Sequence, residues 1–175
     1  GAVFSGVLAR FAVSLTMLYE NRSERVRGEL VSGNYFTVLG LRPATGRLFT
    51  SADEVTPGGH PVVVLSHGFW TTRFGSDPGM VGRTVRLNGH PMTVVGVGPA
   101  GFNGTEVGSV PDVFAPVMMK AEMTPVYGGL DVRRYMWLNL TARLRPGVSR
   151  EQAEAGANVL FRQIREQEVK EIASA

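Results

Sequence analysis

Few residues in this chain are of types and spacings that could do chemistry. Gly96-Val97-Gly98-Pro99-Ala100-Gly101 has the G-x-G-x-x-G spacing, directly behind the apolar run Met92-Thr93-Val94-Val95. In a dinucleotide-binding unit those glycines let the chain turn tightly and bring backbone N–H groups up to a pyrophosphate. Such a site also needs a helix opening immediately behind the loop, so that its N-terminus faces the phosphates. Here Phe102-Asn103-Gly104-Thr105 follows, then Gly108 and Pro111, all poor helix openers. The run before the loop also belongs to a hairpin and not to a β-α-β unit. A stand-alone small-ligand or dinucleotide-binding protein using the loop from Gly96 to Gly101 is therefore the alternative reading, and a glycine-rich surface loop the preferred one.

Ser66-His67 invites a hydrolase reading, but a nucleophile elbow needs glycine on both sides of the serine at two residues' distance. Val64 occupies the first of those places and only Gly68 meets the second. A helix cap is the better use of the Ser66 hydroxyl. His60, His67 and His90 lack the i, i+4 spacing that puts two metal ligands on one helix face. The stretch from Gly75 to Thr84 has a P-loop's outline, but Asp77 stands in place of a glycine and Arg83 in place of the lysine. Glu20 with Glu24, and Asp53 with Glu54, lie in polar segments read as solvated turns, where nothing tunes a carboxyl for acid–base work. The triplets at Asn21, Asn103 and Asn139 fit a glycosylation pattern too short to carry weight. No catalytic, cofactor-binding or metal residue is assigned, and no cofactor is expected.

The composition fits this reading. With 175 residues, 43% hydrophobic and 19% charged, the chain can bury one good core and is not a disordered tail. A net charge of +3, carried by scattered arginines with Lys120 and Lys170 the only lysines, speaks against nucleic acid as a partner. The absence of cysteine removes disulfides and thiolate chemistry together. No apolar run approaches the roughly 18 residues that span a bilayer.

The elements around these residues can be read from pattern. Residues 11–19 and 26–31 read as two strands joined through a polar turn, Glu20-Asn21-Arg22-Ser23-Glu24. Asn34 can cap a short helix that Gly40 ends. The apolar run 61–65 is a buried strand, and Trp70 and Phe74, on the helix after Ser66, are expected to face the core together. Asn88-Gly89 tolerates positive φ at both places and turns residues 84–87 into 91–95 as a hairpin. A strand is expected from Tyr135 to Leu144. Ser149-Arg150-Glu151-Gln152 is a capping box opening the longest helix, whose stripe Ala153, Ala157, Leu160, Phe161 and Ile164 should pack on a sheet. Strands and helices do not alternate, so the class is α+β with mixed or antiparallel sheets and hairpins.

The string Val31-Ser32-Gly33-Asn34-Tyr35-Phe36-Thr37-Val38-Leu39-Gly40-Leu41-Arg42-Pro43-Ala44-Thr45-Gly46-Arg47-Leu48-Phe49 resembles the signature of MacB-like periplasmic core domains in FtsX-type ABC transporter permeases. Similar order continues in residues 62–70, Phe74-Gly75-Ser76-Asp77-Pro78, Val81-Gly82-Arg83-Thr84, Leu87-Asn88-Gly89 and Val94-Val95-Gly96-Val97. The resemblance runs from about Val3 to about Gln167.

It implies a single core domain over residues 1–175, with a β-rich lobe over about 1–120 and a porter-like βα lobe over about 121–175. It implies a non-enzymatic domain on the periplasmic face of a bacterial inner membrane, anchored by transmembrane helices that this sequence does not contain. On that reading the chain is an excised fragment. The implied partners are a cytoplasmic ATPase subunit or domain, a second permease copy forming a dimer, and a periplasmic adaptor. The implied role is to transmit ATP-driven motion of membrane helices to a substrate or adaptor outside. The stripe from Ala153 to Ile164 would then lack part of its cover, and exposure or self-association is expected there.

Overall fold

The computed structural model describes residues 3–127, 129–130 and 136–173. The chain opens with a long hairpin, β1 (Phe4–Tyr19) and β2 (Arg22–Val31), paired antiparallel from Arg10↔Val31 to Tyr19↔Arg22. Its turn is only Glu20-Asn21, with φ of 48° and 61°. Two positive-φ residues give the mirror-image turn whose twist suits a hairpin. Arg22, Ser23 and Glu24, expected in the turn, are therefore strand residues. Their polarity reflects the exposed end of the hairpin and not a break in pairing.

Then come α1 (Tyr35–Leu39), β3 (Thr45–Gly46), β4 (Val62–Leu65), α2 (His67–Phe74), β5 (Thr84–Leu87), β6 (His90–Val97), β7 (Val113–Pro116), α3 (Lys120–Met123), β8 (Asn139–Leu144) and α4 (Arg150–Ala173). The hairpin at Asn88-Gly89 is as expected, with φ of 48° and 86°. The strand expected from Tyr135 starts at Asn139, and Tyr135 itself lies outside the described residues.

The strands run β2-β7-β4-β6-β5-β1-β8, with β3 on β6, and β1 also pairs with β2. That last pairing closes β1, β2, β7, β4, β6 and β5 into a ring. The sheet is mixed: β2–β7 and β4–β6 are parallel, while β1–β2, β4–β7 and β5–β6 are antiparallel. The α+β class with mixed sheets and hairpins is what the structure has. β4, α2 and β6 do form a parallel crossover with β5 interposed, contrary to the expectation that β6 belongs to a hairpin alone.

Alternation along each strand sorts side chains to the two faces. Leu15, Met17, Val26, Leu30, Val63, Leu65, Val85, Leu87, Met92, Val113 and Ala115 come from all six ring strands and form one cluster, so their face is the interior. Met80, Met119 and Met123 join it from the connecting turns and α3. On the outer face, Leu8, Val31, Val64 and Phe114 pack with Tyr35 and Phe36 of α1 and with Leu48 and Phe49. Central strands buried on both sides explain why residues 62–65 and 113–116 are continuously apolar. Trp70 and Phe74, expected in the core, are only partly buried against it. The Trp70 indole N–H donates to the Asp77 carbonyl at 2.8 Å, which holds the ring at the rim.

The chain divides into two compact units, residues 8–140 and residues 1–7 with 141–175. In the smaller unit, Ser5 Oγ donates to the Arg143 carbonyl at 3.2 Å and Arg145 Nε to the Phe4 carbonyl at 3.2 Å. The capping box forms as expected: Gln152 N–H donates to Ser149 Oγ at 3.2 Å and Ser149 N–H to Gln152 Oε1 at 2.9 Å. Past Ala153 the stripe behind it does not pack on a sheet, and it is exposed, as the resemblance implied. Ala153 is buried, whereas Leu160, Phe161 and Ile164 are 56%, 56% and 47% exposed and Ala157 is exposed too. Among the described residues no helix is long and apolar enough to cross a membrane.

Candidate functional site

The structure separates the residues that sequence patterns had drawn together. Gly96 lies inside β6, where a Cβ would come within 2.1 Å of the Arg47 carbonyl oxygen, so its lack of a side chain lets β3 pair with β6. Gly101 sits in a turn with φ 79°, and residues 98–112 contain no helix. The glycines serve the backbone, and no helix N-terminus stands where a pyrophosphate would need one.

Ser66 caps α2, its Oγ accepting from Phe69 N–H at 3.3 Å. His67 turns its ring against Trp70, His60 Nε2 accepts from Thr56 N–H at 3.2 Å, and His90 is exposed. Among the described residues no three metal-ligating side chains converge. Gly75 ends α2 with φ 59°, and Asp77 Oδ1 accepts from Gly79 N–H at 2.8 Å, so the P-loop outline is a helix stop followed by a capped turn.

The string from Val31 to Phe49 works as a clasp. Ser32 Oγ accepts from Ala9 N–H at 3.0 Å and donates to Asn34 Oδ1 at 2.7 Å. Asn34 sits at the cap position of α1 without the expected side-chain cap, while Gly40 ends that helix with φ 72° as expected. Gly33 has the Thr50 carbonyl where a Cβ would be, at 2.5 Å, and gives its N–H to Glu54 Oε2 at 2.8 Å.

Asp53, read as solvated, is 6% exposed. Its two oxygens accept from Arg47 Nη1 and Nη2, both at 2.8 Å, and one also accepts from Thr50 N–H at 2.9 Å. Burial pushes this carboxyl up, but the Arg47 fork and the Thr50 bonds outweigh it and hold it below the usual aspartate range. Glu24 is also engaged, paired with Arg73.

Pattern reading missed the most heavily wired polar group. Glu29, in mid β2, is 3% exposed. Its Oε1 accepts from Arg10 Nη1 at 3.0 Å and its Oε2 from the Tyr35 hydroxyl at 3.2 Å. The same Arg10 nitrogen donates to Glu106 Oε2 at 2.8 Å, tying the 98–112 loop to β1. Burial raises the Glu29 carboxyl above the usual range, with Arg10 and Tyr35 pulling the other way. Burial, followed by the Glu29 charge, raises the Tyr35 phenol. The available signal was a single carboxylate in Gly28-Glu29-Leu30-Val31, an apolar stretch that a solvated strand would not have.

Beside this network lies a shallow groove of about 260 Å³, lined by Ala12, Ser14, Arg27 and Glu29 of the hairpin and by Ser109 and Pro111 of the loop. Arg27, one of the lining residues, donates from Nη2 and Nε to Asp112 at 2.8 Å and 3.2 Å. Nothing in the groove has the arrangement of a nucleophile with its base. What it offers is hydrogen bonding and charge.

The ring-closed mixed sheet, with α1, α2 and α3 interspersed between its strands, defines a domain of the α+β class. The MacB-like periplasmic core domain family matches residues 2–159, and the chain belongs to that family. It is similar in fold to the periplasmic region of MacB from Actinobacillus actinomycetemcomitans, with a TM-score of 0.72 and 21% identity over 94% of this chain and 69% of that one. It is likewise similar to the extracellular domain of the noncanonic ABC-type transporter YknZ from Gram-positive bacteria, with a TM-score of 0.62 and 20% identity over 87% and 70% of the two chains. No curated protein matches at the level of sequence. The domain is therefore that of a MacB-like ABC transporter permease, of the kind found on the outer side of the membrane.

Proposed function

We propose that this domain transmits ATP-driven motion of membrane helices to a substrate or adaptor outside the membrane and performs no chemistry itself. The observation that carries the reading is the family match over residues 2–159. The construction of residues 8–140 supports it. A ring of strands filled by one core, with the clasp at Arg47–Asp53 and the hub at Glu29, is suited to moving as a body without deforming. On this proposal the β-rich body of residues 8–140 meets the external partner, and the porter-like part, with the end of β8 and α4, belongs to the moving frame. Flanking helices anchor the domain on the periplasmic face, a cytoplasmic ATPase subunit or domain drives it, and a second permease copy completes the dimer.

The domain has no cysteine, so single thiols can be placed at will. In the full-length permease with its ATPase, spin labels on Arg42→Cys in the two copies should show a distance distribution that shifts between the nucleotide-free and the vanadate-trapped ATP states. An unchanged distribution in a complex that hydrolyses ATP would refute the transmission role.

A further inference from the structure

The outer face of the hairpin beyond the Glu29 hub carries charge without cover. Residues directly opposite in the register share a face, so Ser14 and Arg27, Thr16 and Arg25, and Leu18 and Ser23 project together, and Leu18 lies opposite Arg86 of β5. All of these residues are exposed. Three guanidiniums thus stand on one face spanning β2, β1 and β5. The only carboxylate bonded to any of them among the described residues is Asp112, which holds Arg27. Arg86 Nη1 donates to the Gly89 carbonyl at 2.9 Å, which fixes its direction.

We propose that this face, with the groove beside it, is a docking surface for an acidic, extended polypeptide segment. The inference rests on the proposed function, whose external adaptor it would serve. Spacing supports a strand-like partner: Arg25 and Arg27 are two residues apart on β2, about 7 Å, the repeat of alternate side chains in any extended chain. Arg25 and Arg86 flank β1 on either side, offset by two residues along it and about 12 Å apart. The hydroxyls of Ser14, Thr16 and Ser23 lie beside the cations on the same face and can bond a peptide backbone. The groove of about 260 Å³ at Ala12, Ser14 and Ser109 has room for a partner side chain. A membrane surface is the poorer fit, because Leu18, 39% exposed, is the one large apolar side chain on this face available for insertion.

Fluorescence anisotropy on the 175-residue chain tests this without ATP or a membrane. The probe is a synthetic peptide with glutamate at alternate positions, set against one with lysine at those positions and against vesicles containing phosphatidylglycerol. The glutamate peptide should bind, lose affinity as salt rises, and lose about tenfold in the Arg25→Glu/Arg86→Glu double variant. Arg42→Glu, an exposed arginine outside this face, should leave binding unchanged. Absent binding, binding indifferent to the double variant, or equal weakening by Arg42→Glu would overturn the proposal, as would vesicles binding in preference to the peptide. These outcomes concern the surface alone and leave the spin-label test of motion independent.

Discussion

Replacing Asp53 by asparagine keeps the side chain's shape while removing its charge, and the structure sets what should follow. The aspartate receives two 2.8 Å bonds from Arg47 and one of 2.9 Å from Thr50 N–H. An asparagine keeps one acceptor oxygen, loses half of the fork, and points an amide at a guanidinium. Hydrogen bonds to a charged group contribute about 1.5–3 kcal/mol, and the half-exposed Arg47 side chain draws the value toward the lower end, so a loss of about 2 kcal/mol is expected near neutral pH.

The sign of the pH dependence follows from the lowered carboxyl. Its stabilisation is complete above the unfolded-state value, near 4, and disappears as pH falls through the lower folded-state value. Urea titrations of the parent and Asp53→Asn at pH 7 and again near pH 2.5 measure this, and the gap between them should narrow toward zero in acid. Taking the difference cancels the separate contribution of Glu29, whose carboxyl is raised. A gap below about 0.5 kcal/mol at pH 7, or one that stays constant into acid, would show that the Arg47 fork does not hold the clasp.

Asn88 does more than turn a hairpin: its Oδ1 accepts from Thr16 N–H at 2.8 Å and its Nδ2 donates to the Met123 carbonyl at 2.9 Å. Asn88→Ala should lower the unfolding free energy by about 2–3 kcal/mol in chemical denaturation, from two bonds and the left-handed backbone. Gly96→Ala sets a Cβ against the Arg47 backbone, which cannot swing aside, and should cost about 3 kcal/mol or more, visible as a lowered thermal midpoint. Phe161→Glu, on the exposed stripe of α4, should change the monomer's stability by less than about 0.5 kcal/mol. Light scattering at rising concentration should show association in the parent and none in that variant.

Local chemistry was legible before the structure was known. Asn88-Gly89, Gly40, Ser66 and the Ser149–Gln152 box each act within a few residues, and each forms its turn, stop or cap. What escaped depends on partners far along the chain. Asp53 reads as solvated because its neighbours are polar, yet the folded chain buries it with Arg47 and Thr50 bonded to its carboxylate. The partners of Glu29 are not legible in its neighbours, because Arg10 and Tyr35 meet it only once β1 and α1 have assembled. The start of β1 at Phe4 was hidden by Gly6 and Arg10, which break the alternation that marks a strand. α4 shows the opposite failure, since a correct amphipathic stripe does not say whether anything covers it.

The ring of strands has a consequence for how the protein comes into being. β2 cannot complete its parallel pairing until β7 arrives, since Gly28 pairs with Val113 and Val31 with Pro116. β1 meets β5 across some seventy residues of intervening chain, at Met17↔Leu87 and Leu18↔Arg86. Closures of this span carry a large loop entropy and make for slow folding. A chain emerging from the amino end must therefore hold its first hairpin open, with the apolar inner faces of β1 and β2 unsatisfied, until residue 116 has emerged. During that interval it is exposed to misassembly and to helper proteins that grip bare strands. Once the last seam shuts, each of the six ring strands has a neighbour on both sides, and the edge open to a neighbouring chain shrinks to the parts of β1 and β2 that reach past their partners.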